Sequence, residues 1–231
     1  MNASRAETHR ALHVFYGGTF DPVHNGHLAI ACAARDALGV DIHLLPAADP
    51  PHRPPPGASA RDRAEMVRLG IDDMPGLLLD LRELQRDGRS WSVETLRALR
   101  AQLGPDASIA WLVGADSFRD LPTWKDWRSL FGLTHFVVAE RAGFPIDGAA
   151  HDPLQQALAG RWVTDPAALR AAPAGRVLSL HQTLYAHSAT RIRERIAAGR
   201  EWQALVPPAV AGYIVEHHLY GVAAAGPVIG R

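Results

Sequence analysis

Two histidines three residues apart, His24 and His27, close the run Gly17-Gly18-Thr19-Phe20-Asp21-Pro22-Val23-His24-Asn25-Gly26-His27. The apolar stretch 12–16 before it reads as a buried strand, and residues 27–38 after it have helix-forming composition, ending at Gly39, a residue suited to a C-terminal cap. A helix N-terminus carries partial positive charge and N–H groups with no partner inside the helix, so an anion is stabilised there. Gly17 and Gly18 let the backbone approach that anion closely. Within a first helical turn His24 and His27 share a face, and each imidazole can donate to a phosphate oxygen. The chemistry that these residue types and this spacing permit is phosphate binding. A zinc pair, or incidental histidines at a helix start, would use the same residues; structural zinc takes four N or S ligands, and the one cysteine is Cys32.

Two further segments carry phosphate-binding types. Asp49-Pro50-Pro51-His52-Arg53-Pro54-Pro55-Pro56-Gly57 directly follows a second strand-like run, and its prolines force an extended or turning path. In an α/β sheet such a loop borders the binding crevice, where His52 and Arg53 would be adjacent donors; a polyproline ligand for a partner domain is the alternative. Near the other end, His187-Ser188-Ala189-Thr190-Arg191-Ile192-Arg193-Glu194-Arg195 opens a helix, with Ser188 as the N-cap and Thr190 and Arg193 on one face. An ordinary capped amphipathic helix has the same pattern.

The elements that must position these residues alternate. Strand-like runs at 12–16, 42–45, 77–81, 109–113, 136–139 and 177–180 are separated by helical stretches at 27–38, 60–71, 92–103, 117–121, 124–131, 153–158, 190–198 and 207–217. That alternation predicts an α/β, Rossmann-like doubly wound parallel sheet flanked by helices, with a small C-terminal helical portion. Pro207 and Pro208 suit a helix start, and Gly199 suits the end of the helix before them. The 231 residues are read as one domain over 1–222, with residues 1–11 and 222–231 as flexible tails.

Composition narrows the class. Hydrophobic residues make up 47% and charged residues 21%, ordinary values for a globular chain. Twenty-four basic residues balance 24 acidic ones, which argues against a general binder of nucleic acid or of a membrane surface. No uncharged apolar stretch reaches the roughly 18 residues of a membrane span, and no apolar core marks a secretory signal in residues 1–11. A single cysteine excludes an internal disulfide and fits a cytoplasmic protein. All basic residues but Lys125 are arginine, so a P-loop lysine is excluded and a phosphate clamp must use Arg, His or backbone N–H.

The run ending in His24-Asn25-Gly26-His27 resembles the signature of nucleotidyltransferases that join a nucleotide to a phosphorylated acceptor and release pyrophosphate. Ser188-Ala189-Thr190-Arg191-Ile192-Arg193 is similar to the S-x-T-x-x-R motif of the same superfamily. Further stretches resemble one family, the bacterial nicotinate-nucleotide adenylyltransferases: Pro50-Pro51-His52-Arg53, Arg63 with Met66, residues 83–96, Gly114-Ala115-Asp116-Ser117, Leu121-Pro122-Thr123-Trp124 and Leu205-Val206-Pro207. Departures are Trp91 and Ser92 where the family has tyrosine and threonine, Ala47 or Ala48 where it often has asparagine, and Ala142 where it has proline.

The resemblance implies adenylyl transfer from ATP, with Mg2+, to nicotinate mononucleotide, giving deamido-NAD and pyrophosphate. It implies His24, His27 and Arg193 as catalytic residues. ATP would be bound by Gly17, Gly18, Thr19, Phe20, His24, His27, Asp116 (ribose), Arg141, Ser188, Thr190 and Arg193. Nicotinate mononucleotide would be bound by His52 and Arg53, by backbone N–H groups at helix starts near Ser92 and Lys125, and by stacking on Trp124. A helix start attracts the nicotinate carboxylate and has no comparable partner for a neutral amide. No protein cluster of metal ligands is evident, no nucleic-acid or membrane partner is implied, and a homo-oligomer is left open. A sister enzyme, such as a phosphopantetheine adenylyltransferase or a cytidylyltransferase, and a non-catalytic nucleotide sensor remain the alternatives.

Overall fold

A computed structural model describes residues 10–50, 55–86, 88–139, 153–181 and 188–222. Strands β1 (Leu12–Gly18), β2 (Ile42–Pro46), β3 (Leu77–Leu79), β4 (Ser108–Gly114), β5 (His135–Ala139), β6 (Trp162–Val163) and β7 (Val177–Leu180) alternate with helices α1 (Asn25–Leu38), α2 (Ala60–Ile71), α3 (Ser92–Leu103), α4 (Ala115–Arg119), α5 (Trp127–Leu133), α6 (Pro153–Leu158) and α7 (Ala167–Arg170). Helices α8 (Ala189–Ala197) and α9 (Pro208–Glu216) follow at the C-terminal end. The strands form one sheet in the order β3-β2-β1-β4-β5-β7-β6, with every pair parallel. All five residues of β5 and the first six of β4 are buried, as strands covered on both faces must be, and that is why 109–113 and 136–139 read as continuous apolar runs. One core cluster, containing Val14, Leu44 and Leu112, lies on one face; a second, containing Phe15, Leu45 and Trp111, lies on the other.

The strand order reverses between β1 and β4, whose register pairs Tyr16 with Leu112. In such sheets the binding crevice opens beyond the C-terminal ends of the two strands at the reversal. The β1 end is Gly17-Gly18 and the β4 end is Gly114. Gly17 is there for lack of room: a Cβ would stand 2.3 Å from Cζ2 of the buried Trp111 on β4.

Several expected boundaries shift. The third strand ends at Leu79 rather than 81, because the chain turns there and the Leu84 N–H returns to the Leu81 carbonyl at 2.9 Å. The helix expected from 124 starts at Trp127, since Asp126 adopts φ 50 in the left-handed region. The two-residue edge strand β6 and the single-turn α7 had no separate sequence signal; both are shorter than any periodicity. The caps at Gly39 (φ 63) and Ser188 (Oγ accepting from Arg191 N–H) match expectation.

At the N-terminal end of the interior strand β5, His135 is fully buried. Its Nδ1 accepts from Arg176 N–H at 3.0 Å, and Nε2 lies 3.0 Å from the Ala172 carbonyl, to which it donates. Burial pulls its pKa below the ordinary value against the pull of the carbonyl bond. A depressed folded-state pKa means that the unfolded chain takes up the proton first, so this contribution is whole above about pH 6.5 and lost as pH falls below it. Unfolding titrations are expected to show stability falling below about pH 6.5, with a shallower fall in His135→Gln. Gly17→Ala is expected to lower stability by about 1–3 kcal/mol through overpacking against Trp111, read as a lower Tm.

Candidate active site

Beyond Gly18 the chain turns sharply. Phe20 takes φ 50 and is buried, and its ring meets the His27 ring edge-on at 5.1 Å. The sequence places His24 inside the first turn of α1; it stands instead at the N-cap, extended (φ −145, ψ 168), with Nδ1 accepting from His27 N–H at 3.3 Å. Histidine is not a favoured capping residue, so composition gives no signal for this role. As an acceptor Nδ1 carries no proton, which puts the proton of the neutral ring on Nε2. The two imidazoles still come together, stacked at 3.7 Å with 22° between their planes. They flank the start of α1, where the helix dipole adds to their capacity to hold an anion.

The turn is held by two charged side chains. Arg63, on α2 and fully buried, donates to the carbonyls of Thr19 (2.7 Å), Ala48 (3.0 Å) and Ala58 (3.3 Å). Burial pulls its pKa down, while Asp21 opposes that pull. Asp21 is buried too, and its carboxylate accepts from Gly57 N–H (2.8 Å), Ala58 N–H (3.1 Å) and the Tyr220 hydroxyl (2.8 Å). Arg193 of α8 donates through Nη1 to the Asp21 carbonyl at 2.6 Å and lies 3.4 Å from Oδ2; its Nη2 is 3.4 Å from Thr190 Oγ1. The two sequence motifs, 172 residues apart at Asp21 and Arg193, therefore share one edge of the crevice. Asp116 stands in the first turn of α4 beyond the end of β4, its Oδ1 accepting from Ser117 N–H at 2.9 Å.

A second group of expected residues gathers around the start of α3. Ser90 Oγ accepts from Ala48 N–H at 2.9 Å and Asp49 N–H at 3.3 Å, fixing the loop after β2 to this helix start. Trp91 occupies the N-cap and gives no side-chain cap, which leaves the first-turn N–H groups at Ser92 without the usual capping oxygen. Glu83, buried, accepts from Thr95 Oγ1 at 2.7 Å; burial pushes its pKa up, and bonds from Thr95 and Ser90 oppose that. Lys125 bridges to α3 through Glu94 Oε1 (2.7 Å), with Nζ 5.2 Å from the Trp91 ring centre. Lys125 thus reaches the first turn of α3, where Ser92 lies, and half-buried Trp124 packs on the second core cluster. Lys125 is not at a helix start; it lies between the 3-10 turn Leu121–Thr123 and α5.

His52, Arg53 and Arg141 lie outside the described residues. Sequence reasoning missed Asp21 and Tyr220 as site-building residues, and it noted Arg63 only as a family match. Asp21 stood inside the signature run, whereas nothing local marks Tyr220. Among the described residues no group of three or more His, Cys, Asp or Glu side chains is arranged to hold a metal ion, and no helix is long and apolar enough to cross a membrane.

Comparison with known proteins places the chain in a family. The cytidylyltransferase-like family model matches residues 15–195. A relative from Stenotrophomonas maltophilia (strain K279a), named "Probable nicotinate-nucleotide adenylyltransferase", is 57% identical over 215 residues, covering 91% of this chain and 97% of the relative. One of the same name from Marinobacter nauticus (strain ATCC 700491 / DSM 11845 / VT8) is 44% identical, covering 95% and 100%. Among solved structures, the Plasmodium falciparum nicotinic acid mononucleotide adenylyltransferase complexed with NaAD has the same fold, with a TM-score of 0.70 at 16% identity over 92% of this chain and 98% of that one. On sequence and on fold together, the chain belongs to the nicotinate-nucleotide adenylyltransferase family.

Proposed function

We propose that this protein transfers the adenylyl group of ATP to nicotinate mononucleotide, giving nicotinate adenine dinucleotide and pyrophosphate in NAD biosynthesis. The observation that carries the reading is the meeting of Arg193 with Asp21, in the turn that leads from β1 to His24 and His27 at the strand-order reversal, in a chain 57% identical to a relative named for this reaction. A phosphate oxygen of the mononucleotide attacks the α-phosphorus of ATP in line. One P–O bond forms as the bond to the bridging α,β oxygen breaks, and that oxygen leaves with its electron pair on pyrophosphate. The nucleophile is already an anion and the leaving group is already good, so the protein's task is positioning and charge neutralisation.

His24 and His27, stacked at the start of α1, donate to the α-phosphate oxygens whose charge grows in the transition state. Thr190 and Arg193, with Ser188 at the α8 N-cap, receive the departing β- and γ-phosphates. Gly17, Gly18, Thr19 and Phe20 line the turn, and Asp116 meets the ribose. The acceptor lies across the crevice, its ring on Trp124 and its carboxylate on the backbone N–H groups of Ser92 and Lys125. Magnesium would enter with ATP as the substrate complex, where it would neutralise charge on the departing pyrophosphate. The single cysteine fits a cytoplasmic setting.

Pyrophosphate release with ATP and Mg2+, offering nicotinate mononucleotide, nicotinamide mononucleotide and phosphopantetheine in parallel, is the direct test. Strong preference for the first is expected, and no release with it would overturn the reading. His27→Ala is expected to lower kcat by about 10²-fold or more, on the scale of a lost transition-state donor, with unchanged far-UV circular dichroism. Near-normal turnover in that folded variant would remove His27 from the mechanism.

A further inference from the structure

We infer that Tyr220 is a positioning residue for ATP, occupying the Asp21 carboxylate so that this carboxylate does not draw the Arg193 guanidinium away from the phosphates. The inference deepens the reading above and rests on it, because it takes Arg193 as part of the ATP site.

A guanidinium beside a buried carboxylate ordinarily closes into a bidentate pair, with two parallel N–H bonds to the two oxygens. Arg193 and Asp21 do not. Arg193 Nη1 is bonded to the Asp21 main-chain carbonyl at 2.6 Å and stands 3.4 Å from Oδ2, with no hydrogen bond to either carboxylate oxygen. The carboxylate is otherwise committed: Oδ2 accepts from Gly57 N–H at 2.8 Å, and Oδ1 accepts from Ala58 N–H at 3.1 Å and from the Tyr220 hydroxyl at 2.8 Å. An ionised carboxylate has about four acceptor positions, so the hydroxyl fills one that Arg193 would need for the bidentate arrangement. Without that hydroxyl, Oδ1 of a carboxylate only 5% exposed is left short of a partner, a costly state for a buried charge. Arg193, already bonded to the same residue, is the charged group placed to replace it.

The chain holds Tyr220 where it is by unusual means. His218 (φ 50) and Tyr220 (φ 59) both adopt the left-handed region, which non-glycine residues enter at a cost. Such strain persists only where surrounding contacts over-determine it, and the hydroxyl's bond to Asp21 spans 199 residues of chain. Gly57 is the floor under both side chains: a Cβ there would stand 3.0 Å from Tyr220 Cδ1 and 3.3 Å from Arg193 Cδ. Burial and the adjacent Asp21 charge also push the phenol's pKa up, so the hydroxyl remains a donor at any working pH.

The test uses the full chain, with Mg–ATP affinity by calorimetry and steady-state pyrophosphate release with each substrate varied, for wild type, Tyr220→Phe and Gly57→Ala. In Tyr220→Phe the Kd and KM for ATP are expected to rise about tenfold, the scale of one hydrogen bond to a charged group, with KM for nicotinate mononucleotide unchanged. Gly57→Ala, which keeps the hydroxyl but crowds both side chains, is expected to move the same ATP constants and supplies the answer should Tyr220→Phe fail to fold. A purely structural role would lower the active fraction, and so kcat, while leaving ATP affinity unchanged; that result, or a parallel rise in both KM values, overturns the inference. ATP affinity is independent of the acceptor. A wild type that binds ATP but ignores nicotinate mononucleotide, with Tyr220→Phe still weaker for ATP, would sink the acceptor reading and leave the Tyr220 assignment standing.

Discussion

A buried guanidinium organises the working edge of this protein. Arg63 is inaccessible to solvent, and it collects the main-chain carbonyls of Thr19, Ala48 and Ala58. A charge so fully removed from water is tolerated only when its donors are satisfied and an opposite charge is near. Asp21 supplies that charge while its own oxygens take the N–H groups of Gly57 and Ala58. Thr19 and Asp21 after β1 are thus tied to Ala48, Gly57 and Ala58 after β2, because loosening any of them would strand a buried carbonyl, the carboxylate or the guanidinium itself without partners. Ser90 extends these ties to the start of α3 by accepting from Ala48 and Asp49.

Restraint of this kind is what an in-line transfer between two phosphorylated molecules requires. There is no covalent intermediate to stabilise and no strong base to tune, so rate depends on how accurately two anions are held against each other. The parallel sheet contributes the frame: its strand order reverses between β1 and β4, opening a crevice into which the loops and the start of α1 face. Charge is then added at close range by a stacked histidine pair on one side and by α8 on the other, docked through Arg193. The region around Trp91, Trp124 and Lys125, where the acceptor is proposed to sit, is joined more loosely. Its bridge, Lys125 to Glu94, is half exposed on both sides and contributes little to stability, so its value lies in keeping the Trp124 segment beside α3.

Much of this was legible in advance, for reasons visible at particular residues. Strands β4 and β5 are buried on both faces and therefore apolar without interruption over 109–113 and 136–139, while α2 carries a periodic apolar face. The signature run around His24 combines residue types too specific to arise from packing alone, whereas the run around Arg193 has the pattern of any capped amphipathic helix and gains meaning only beside the first. What was misread follows from interactions that have no local trace. His24 caps its helix because His27 N–H lies within reach of Nδ1, Asp126 breaks the helix expected from 124 by turning left-handed, and β6 exists as a strand only because β7 lies beside it.

The sequence by itself determined the alternation of elements, and with it the parallel sheet, because burial on two faces dictates composition residue by residue. It also narrowed the chemical types of the proposed phosphate site, since every basic residue but Lys125 is arginine. Tertiary structure alone decided how those types are used: that Asp21 is shared among Gly57, Ala58, Tyr220 and Arg193, that Arg63 spans three carbonyls, and that a tyrosine 199 residues away completes the first loop. The physical reason is that propensity and periodicity act between near neighbours. The satisfaction of a buried charge depends on whatever distant groups the fold brings within hydrogen-bond reach.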